Sequence, residues 1–348
     1  MYNFVTLFDK NYLSRGLALY DSLLKHCDDF FIYILTLDEE TKMFLTNKNK
    51  KNIHIISLNE IESFYPELAE IKKNRSVAEY CWTLTPYSIQ YTIKTFKLDS
   101  CTYLDADIYF YNNPKIIFDE AKGYSIIITE HRYTPKDDQT KTSGKYCVQF
   151  TYFKNDNDGM EALEWWRQRC GEWCYNRYED GKFGDQKYLD DWITRFTGVY
   201  VPKHIGCGLA PWNIQQFTLS NENNILYVQD KITKIKQLVV FYHFHSLREL
   251  FINSKEISYY LCGYYLDSMT IELIYIEYVK LLSAAISGST FKSIKCSYKK
   301  PSLFYLCFIF IKHSIKSILN IFKFKKLYKS IIDNYTQENN KKFTVNLE

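Results

Sequence analysis

Three features are missing from this 348-residue chain. No apolar run reaches the roughly 20 residues that a membrane-spanning helix needs; the stretch LFYLCFIFI, residues 303–311, ends at Lys312. No signal-peptide pattern opens the chain, and its ten cysteines lack the spacing of a disulfide framework. Buried thiols in a reduced, cytosolic compartment are therefore expected. Cys170 and Cys174 lie one helical turn apart and with Cys207 could form a thiolate site, but that spacing is uncommon for zinc and no fourth ligand presents itself. No segment repeats. Residues 291–330 also contain no Asp, Glu or Arg beside ten lysines, so the remainder carries −6 although the whole chain is +4. Positive charge thus belongs to one segment, and no nucleic-acid partner is expected. Disorder is excluded by a composition that is 46% hydrophobic, ample for a core.

What the chain does have is alternation. YNFVTLF, a helix from Tyr12 to His26, FFIYILTL, a helical stretch, NIHIISL and a long helix from about Val77 follow one another. That order builds a largely parallel sheet with helices on its faces. YSIIITE and YCVQFTYF add strands, and Gly159 to Tyr178 reads as a helix with Trp165, Trp166, Cys170 and Trp173 on its inner face. The expected class is α/β, a mostly parallel mixed sheet flanked by helices, over residues 1–255. A helical region, residues 256–348, follows and begins near Tyr259.

The most informative stretch is YLDADIYFYNNP, residues 103–114. Cys101–Leu104 reads as a buried strand that delivers Asp105 and Asp107 to one side of its carboxyl end, the usual ligand position in open α/β sheets. Two carboxylates there suit a hard divalent ion holding a diphosphate. The competing reading is a pair of solvated turn residues. Further on, YHFHSL sets His243 and His245 two residues apart, hence on one face of an expected strand, and one of them would reach the same ion.

Four segments in order resemble the GT-A fold nucleotide-sugar glycosyltransferases, most closely the retaining family 8 type and its bacterial lipopolysaccharide and capsule relatives. They are FVTLFDKNYLSRGLALYDSL (residues 4–23), YLDADIYF, FGDQKYLDDW (183–192) and VVFYHFHSLRE (239–249). The resemblance implies Mn2+ or Mg2+ on Asp105, Asp107 and His243, with His245 as the alternative, and a donor that is a UDP-sugar. Asp9 would accept a hydrogen bond from the uracil N–H, Tyr12 would stack on the base, Asp105 would also meet the ribose, and Arg248 would stand in for a phosphate-binding lysine. Asp185 and Gln186, expected at a helix start, would face the sugar. Glutamine is a poor nucleophile, so Gln186 beneath the anomeric carbon fits front-face retention. Trp212 would cover a sugar face and Asn213 would bond its hydroxyls. Two positions depart from the family: Trp82 stands where an arginine is frequent, and Cys147-Val148-Gln149 replaces the Asn-x-Gly of the sugar pocket, which puts Gln149 at the donor sugar.

The implied acceptor is a glycan or a lipid-linked sugar of bacterial surface polysaccharide. The 31 tyrosines suit sugar handling, although Tyr, Asn, Lys and Ile are enriched together as coding bias would produce. A haloacid-dehalogenase-like phosphohydrolase, the competing enzyme, wants Thr or Val where Tyr109 stands and carries its motif on the first strand. A catalytically silent glycan-binding scaffold is the third reading. In the basic segment, Ile311, Ile315, Ile318, Leu319 and Phe322 share one helical face, opposite Lys312, Lys316 and Lys323. This is the pattern of a helix lying in an anionic lipid interface, so attachment to the inner face of the cell membrane is expected. Packing on the catalytic domain or contact with a polyanionic glycan are the alternatives.

Overall fold

The structure is a computed structural model and describes residues 1–252, 256–261, 263–287, 295–299 and 341–346. It divides into two units, Met1–His245 and Ser246–Glu348.

The first unit opens with β1 (Tyr2–Phe8), β2 (Phe30–Thr36), β3 (Ile53–Ser57) and β4 (Ser100–Leu104), followed by β5 (Ile108–Phe110), β6 (Ile126–Glu130), β7 (Tyr146–Lys154) and β8 (Val199–Tyr200). Seven of these form one sheet in the order β3-β2-β1-β4-β7-β6-β8. Every neighbouring pair is parallel except β4 with β7 and β7 with β6. The mixed, mostly parallel α/β sheet is therefore as expected from the sequence.

Helices cover both faces, and the strands are apolar on both sides for that reason. Alternate residues part to opposite faces. Val5, Leu7, Tyr33, Leu35 and Tyr103 pack with Tyr87, Trp166 and Trp192 on one face. Phe4, Phe8, Ile32, Ile34 and Leu104 pack with Leu19, Leu23 and Phe241 on the other. Each such buried Phe, Ile or Leu contributes about 1.5–3 kcal/mol relative to leaving it exposed.

The helices start where the sequence offers caps. Ser76 and Glu79 form a reciprocal capping box in front of Val77–Phe96, which is why the long helix begins where its periodicity does. Asp156 caps Asn157–Glu172 through the amide of Gly159. That helix stops at Glu172, and Trp173 is already extended, so the expected run to Tyr178 is too long. Trp166 and Cys170 are fully buried on its inner face.

The chain runs outward from β1 through β2 to β3, then crosses to β4 on the other side of β1. The carboxyl ends of β1 and β4 thus flank the point where strand order reverses, the crevice in which open α/β sheets bind ligands. A three-stranded antiparallel meander follows, β9 (Phe217–Glu222), β10 (Ile225–Asp230) and β11 (Lys236–Leu238), and then β12 (Phe241–His243), which pairs with β5.

In the second unit, β13 (Leu247–Ile252), β14 (Glu256–Leu261), β15 (Lys295–Lys299) and β16 (Lys341–Asn346) form an antiparallel sheet in the order β13-β14-β16-β15. The helix expected from Tyr259 is not there. Tyr259 and Leu261, two residues apart, are both buried, and this period of two makes a strand. Helix appears later, from Ser268, through a π-helical stretch at Ile271–Ile276, to Glu277–Ser287. The basic amphipathic segment at Ile311–Phe322 lies outside the described residues. Among the described residues no helix is long and apolar enough to cross a membrane.

Gly159 shows how tightly β7 meets its helix. A Cβ there would lie 2.2 Å from the carbonyl oxygen of Lys154, whose own amide is held by Ser125 O at 2.8 Å. Gly159→Ala should therefore destabilise the fold by about 1–3 kcal/mol, read as a lower urea midpoint at unchanged slope; an unaltered midpoint would show that this turn yields.

Candidate active site

Asp105 leaves β4 and Asp107 ends the turn into β5. The backbone fixes both: Asp105 N–H donates to Gln149 O at 3.0 Å, Ile108 N–H to Asp105 O at 3.3 Å, and Phe244 N–H to Asp107 O at 2.9 Å. His243, the last residue of β12, lies opposite Ile108 in the β5–β12 ladder. Its Nε2 is 3.1 Å from Asp107 Oδ1 and 3.7 Å from Asp105 Oδ2. Its Nδ1 is 2.8 Å from Gln149 Oε1. The ligand atoms of Asp105, His243 and Cys147 lie within 4.8 Å of one another.

The expected single strand through both histidines breaks here. The ladder ends at His243, Phe244 turns its amide to Asp107, and His245 sits exposed in the following turn. The His245 ring is 5.9 Å from that of His243. The two therefore share a neighbourhood and not a strand face.

Burial and crowding set the charges. Burial works against ionising Asp107, but the charge and hydrogen bond of His243, helped by His245 and Arg15, outweigh it and hold its pKa down at about 2. Burial, with the charge of Asp107, raises Asp105 to about 6 against the pull of His243. Burial would favour neutral His243, yet Asp107 and Asp105 raise its pKa well above the usual imidazole range. Two carboxylates thus share one cationic partner. Their oxygens and an imidazole nitrogen are a donor set that fits Mn2+ or Mg2+, and Cys147 adds a softer atom.

Asp185 lies in the turn before a short 3-10 helix at Lys187–Asp191 that starts from Gln186. The expected α-helical start is thus a turn. Asp185 is 6% exposed. Burial and the charge of Asp105 raise its pKa to about 8, against hydrogen bonds from its own amide, the Gln186 amide and Thr85. Trp82, one of the two departures noted in the sequence, packs on this turn, 3.3 Å from the position a Cβ on Gly184 would take.

Asp9, after β1, accepts from the amide and side chain of Asn11 at 3.0 and 2.8 Å. Tyr12 is 44% exposed, with the Arg15 guanidinium 4.8 Å from its ring centre. Arg248 is exposed on β13 of the second unit. Three expected sugar contacts are placed differently. Asn213 is fully buried, and its amide is spent on Gly208 O, His131 O and the Ala210 amide, so it closes its own loop. Trp212 is buried, donates to His131 O at 2.9 Å, and sets its ring edge-on to His243 at 5.2 Å. Gln149 is fully buried beneath His243. Gln149 supports the site from β7, and Trp212 and Asn213 do so because the 208–213 loop hydrogen-bonds alongside β12, Leu209 N–H to Phe241 O and His243 N–H to Leu209 O. The Cys170–Cys174 pair and Cys207 belong to cores on opposite faces of the sheet, so no thiolate site forms from them.

Sequence reasoning missed Thr85 and Tyr103, which join Asp105 and Asp185 by hydrogen bonds, and Arg15, buried near Asp107. Tyr103 carried a legible signal, lying two residues before Asp105 on the same strand. Thr85 and Arg15 sit on helices whose facing could be known only from the packing.

An α/β sheet with carboxylates and a histidine gathered at its switch point defines the class. The chain belongs to the family of the Bacillus subtilis (strain 168) protein YfnD, described as uncharacterized, with 31% identity over 286 residues, 80% of this chain and 88% of that one. Its similarity to YfnF of the same organism is 32% over 258 residues, 72% of this chain and 83% of that one. No family model matches. Among solved structures, the galactosyltransferase LgtC in complex with donor and acceptor sugar analogues covers 81% of this chain and 95% of its own at 13% identity and TM-score 0.49. Mouse xyloside xylosyltransferase 1 covers 70% and 97% at 13% identity and TM-score 0.45. Likeness at that level says nothing about the chemistry of this site, and the fold is read from the strand order itself.

Asp185 has a pH signature. Its folded pKa, about 8, lies above the ordinary carboxylate value, so the folded state keeps a proton that the unfolded chain releases. Its contribution is complete in acid and is lost as pH rises through about 8. In chelator-treated protein, Asp185→Asn should gain stability relative to the parent between about pH 4 and 8, measured by urea unfolding at stepped pH. Parallel curves would show that Asp185 ionises normally.

Proposed function

We propose that this protein is a metal-dependent glycosyltransferase of the GT-A kind, moving a hexosyl group from a UDP-sugar to a glycan or lipid-linked acceptor with retention, in the manner of family 8. One observation carries the reading: Asp105, Asp107 and His243 converge at the switch point between β1 and β4, with Asp9 at the end of β1. This is where a nucleoside diphosphate has both a base site and a charge site.

In this reading Asp9 accepts the uracil N–H and the exposed ring of Tyr12 stacks on the base. Asp105, Asp107 and His243 hold the ion. When bound, Mn2+ or Mg2+ supplies the positive charge that offsets the leaving diphosphate. Asp185, neutral below about pH 8, presents an O–H donor toward the donor sugar, and Gln186 stands beneath the anomeric carbon without acting as a base. Arg248, the expected phosphate contact, belongs to the second unit. The phosphohydrolase alternative is disfavoured because the Asp motif follows the fourth strand of the chain, β4, and not the first.

The test is a panel of nucleotide sugars incubated with purified protein, reading released nucleoside diphosphate with and without Mn2+. Metal-dependent release from a UDP-sugar is expected. No turnover of any donor, with donor binding retained, would favour the silent scaffold.

Asp107→Ala should lower metal-dependent turnover by more than the roughly 10–100-fold that follows loss of a residue supporting a metal ligand, with an unchanged circular dichroism spectrum. Activity within a few-fold of the parent would remove Asp107 from the site. His243→Ala should weaken Mn2+ dependence more than His245→Ala, and the reverse order would exchange their roles.

We also propose that the basic segment holds the enzyme on the anionic inner face of the cell membrane, where lipid-linked acceptors lie. Each lysine near such a surface contributes about 1 kcal/mol. Deleting the whole C-terminal region would remove β15 and β16 from their sheet, so the cleaner variant replaces Lys312, Lys316 and Lys323 with Gln. It should sediment less with anionic vesicles and leave donor hydrolysis unchanged. Equal binding by both proteins, or equal binding to neutral vesicles, would place this segment elsewhere.

A further inference from the structure

We propose that Gln149 is a positioning residue that dictates which ring nitrogen of His243 faces Asp105 and Asp107, and that Thr129 dictates how Gln149 itself is turned. The inference rests on the reading of His243 as a metal ligand, and it concerns a residue that the sequence had assigned to the sugar.

The argument is one of hydrogen-bond polarity. Thr129 on β6 pairs with Cys147 on β7, and its Oγ1 lies 3.2 Å from the Cys147 carbonyl oxygen. A carbonyl can only accept, so the Thr129 hydroxyl spends its proton there. It keeps lone pairs for a second partner, which is the Gln149 amide 3.2 Å away. That partner must be the NH2 end of Gln149. The other end, Oε1, is thereby turned to His243 Nδ1 at 2.8 Å. An amide oxygen also only accepts, so Nδ1 keeps its proton, and Nε2, 3.1 Å from Asp107 Oδ1, is the nitrogen that gives up its proton and turns its lone pair to an ion.

Each link is buried, so water offers no competing partner: Thr129 is 2% exposed and Gln149 0%. The space is also made to measure. Gly208 has φ +76°, and a Cβ there would lie 2.7 Å from Gln149 Nε2, pushing the amide off its bond to Thr129. A Gln149 that merely filled a hole would not need the hydroxyl on one side. With the amide reversed, Nδ1 would hold the lone pair and Nε2 would present a proton to the ion.

The test follows the ring protons of His243 in full-length protein labelled with 15N-histidine, by two-bond N–H correlation spectra, metal-free at a pH high enough to leave the ring neutral, and with Mg2+. Mn2+ affinity is measured in parallel by calorimetry. In the parent, Nδ1 should be protonated in both states. Gln149→Leu, and the milder Thr129→Val, should abolish the fixed Nδ1 proton and weaken Mn2+ binding about 10–100-fold. Thr129→Ser, which restores the hydroxyl, should return both to parental values. An unprotonated Nδ1 in the parent, or Gln149→Leu and Thr129→Val with parental spectra and affinity, would overturn the proposal. Loss of the Nδ1 proton in the variants of a protein whose parent binds no Mn2+ would uphold the positioning role and overturn the metal reading instead.

Discussion

Two carboxylates held close together in a partly dry crevice repel each other, by a few kcal/mol at the reduced dielectric of a protein surface. The rest of the first unit answers that constraint. Asp105 and Asp107 are fixed by backbone hydrogen bonds from three directions, β7, β5 and the residue after β12, so neither can swing away. The imidazole of His243 stands beside both as a partial counter-charge: burial raises the pKa of Asp105, while the charge and hydrogen bond of His243 outweigh burial at Asp107 and lower it. A site that holds its anions apart from water in this way is prepared for a cation before one arrives.

The parts of this plan legible in the sequence were those that depend on local pattern. Continuous apolar runs gave β1 and β2, a helical pattern gave the long helix from Val77, and the strand leading into Asp-Ala-Asp gave the site. What could not be read was whatever depends on two distant strands meeting. Asn213, Trp212 and Gln149 look like sugar contacts in a linear reading because they are polar or aromatic beside site-like motifs. The burial of Trp212 and Asn213 follows from the loop before β9 pairing alongside β12, and that of Gln149 from β7 lying between β4 and β6, neither of which a local period encodes. The same limit explains Tyr259: a strand of six residues is too short a signal to outweigh a helical pattern further along.

The reversal of β7 does more than complete the sheet. Because it runs antiparallel between β4 and β6, its first residues arrive at the end of the sheet where β1 and β4 finish. Cys147 and Gln149 reach the crevice while Phe150 and Phe153 remain in the cores. One strand therefore serves chemistry at its start and packing at its end. Even at that start the faces alternate, since Tyr146 and Val148 belong to the core while Cys147 and Gln149 serve the site.

The pairing of β5 with β12 has a consequence for how the chain folds. These strands are neighbours in space but separated in sequence by β6 through β11. Such distant pairs lose the most chain entropy before any contact compensates, so they tend to close late. Until they do, Asp105 and Asp107 lack His243, and the crevice is a patch of repelling charge with no imidazole beside it. A chain in which β5 and β12 have not yet paired therefore has no complete site, because the pairing is what brings His243 to the two carboxylates.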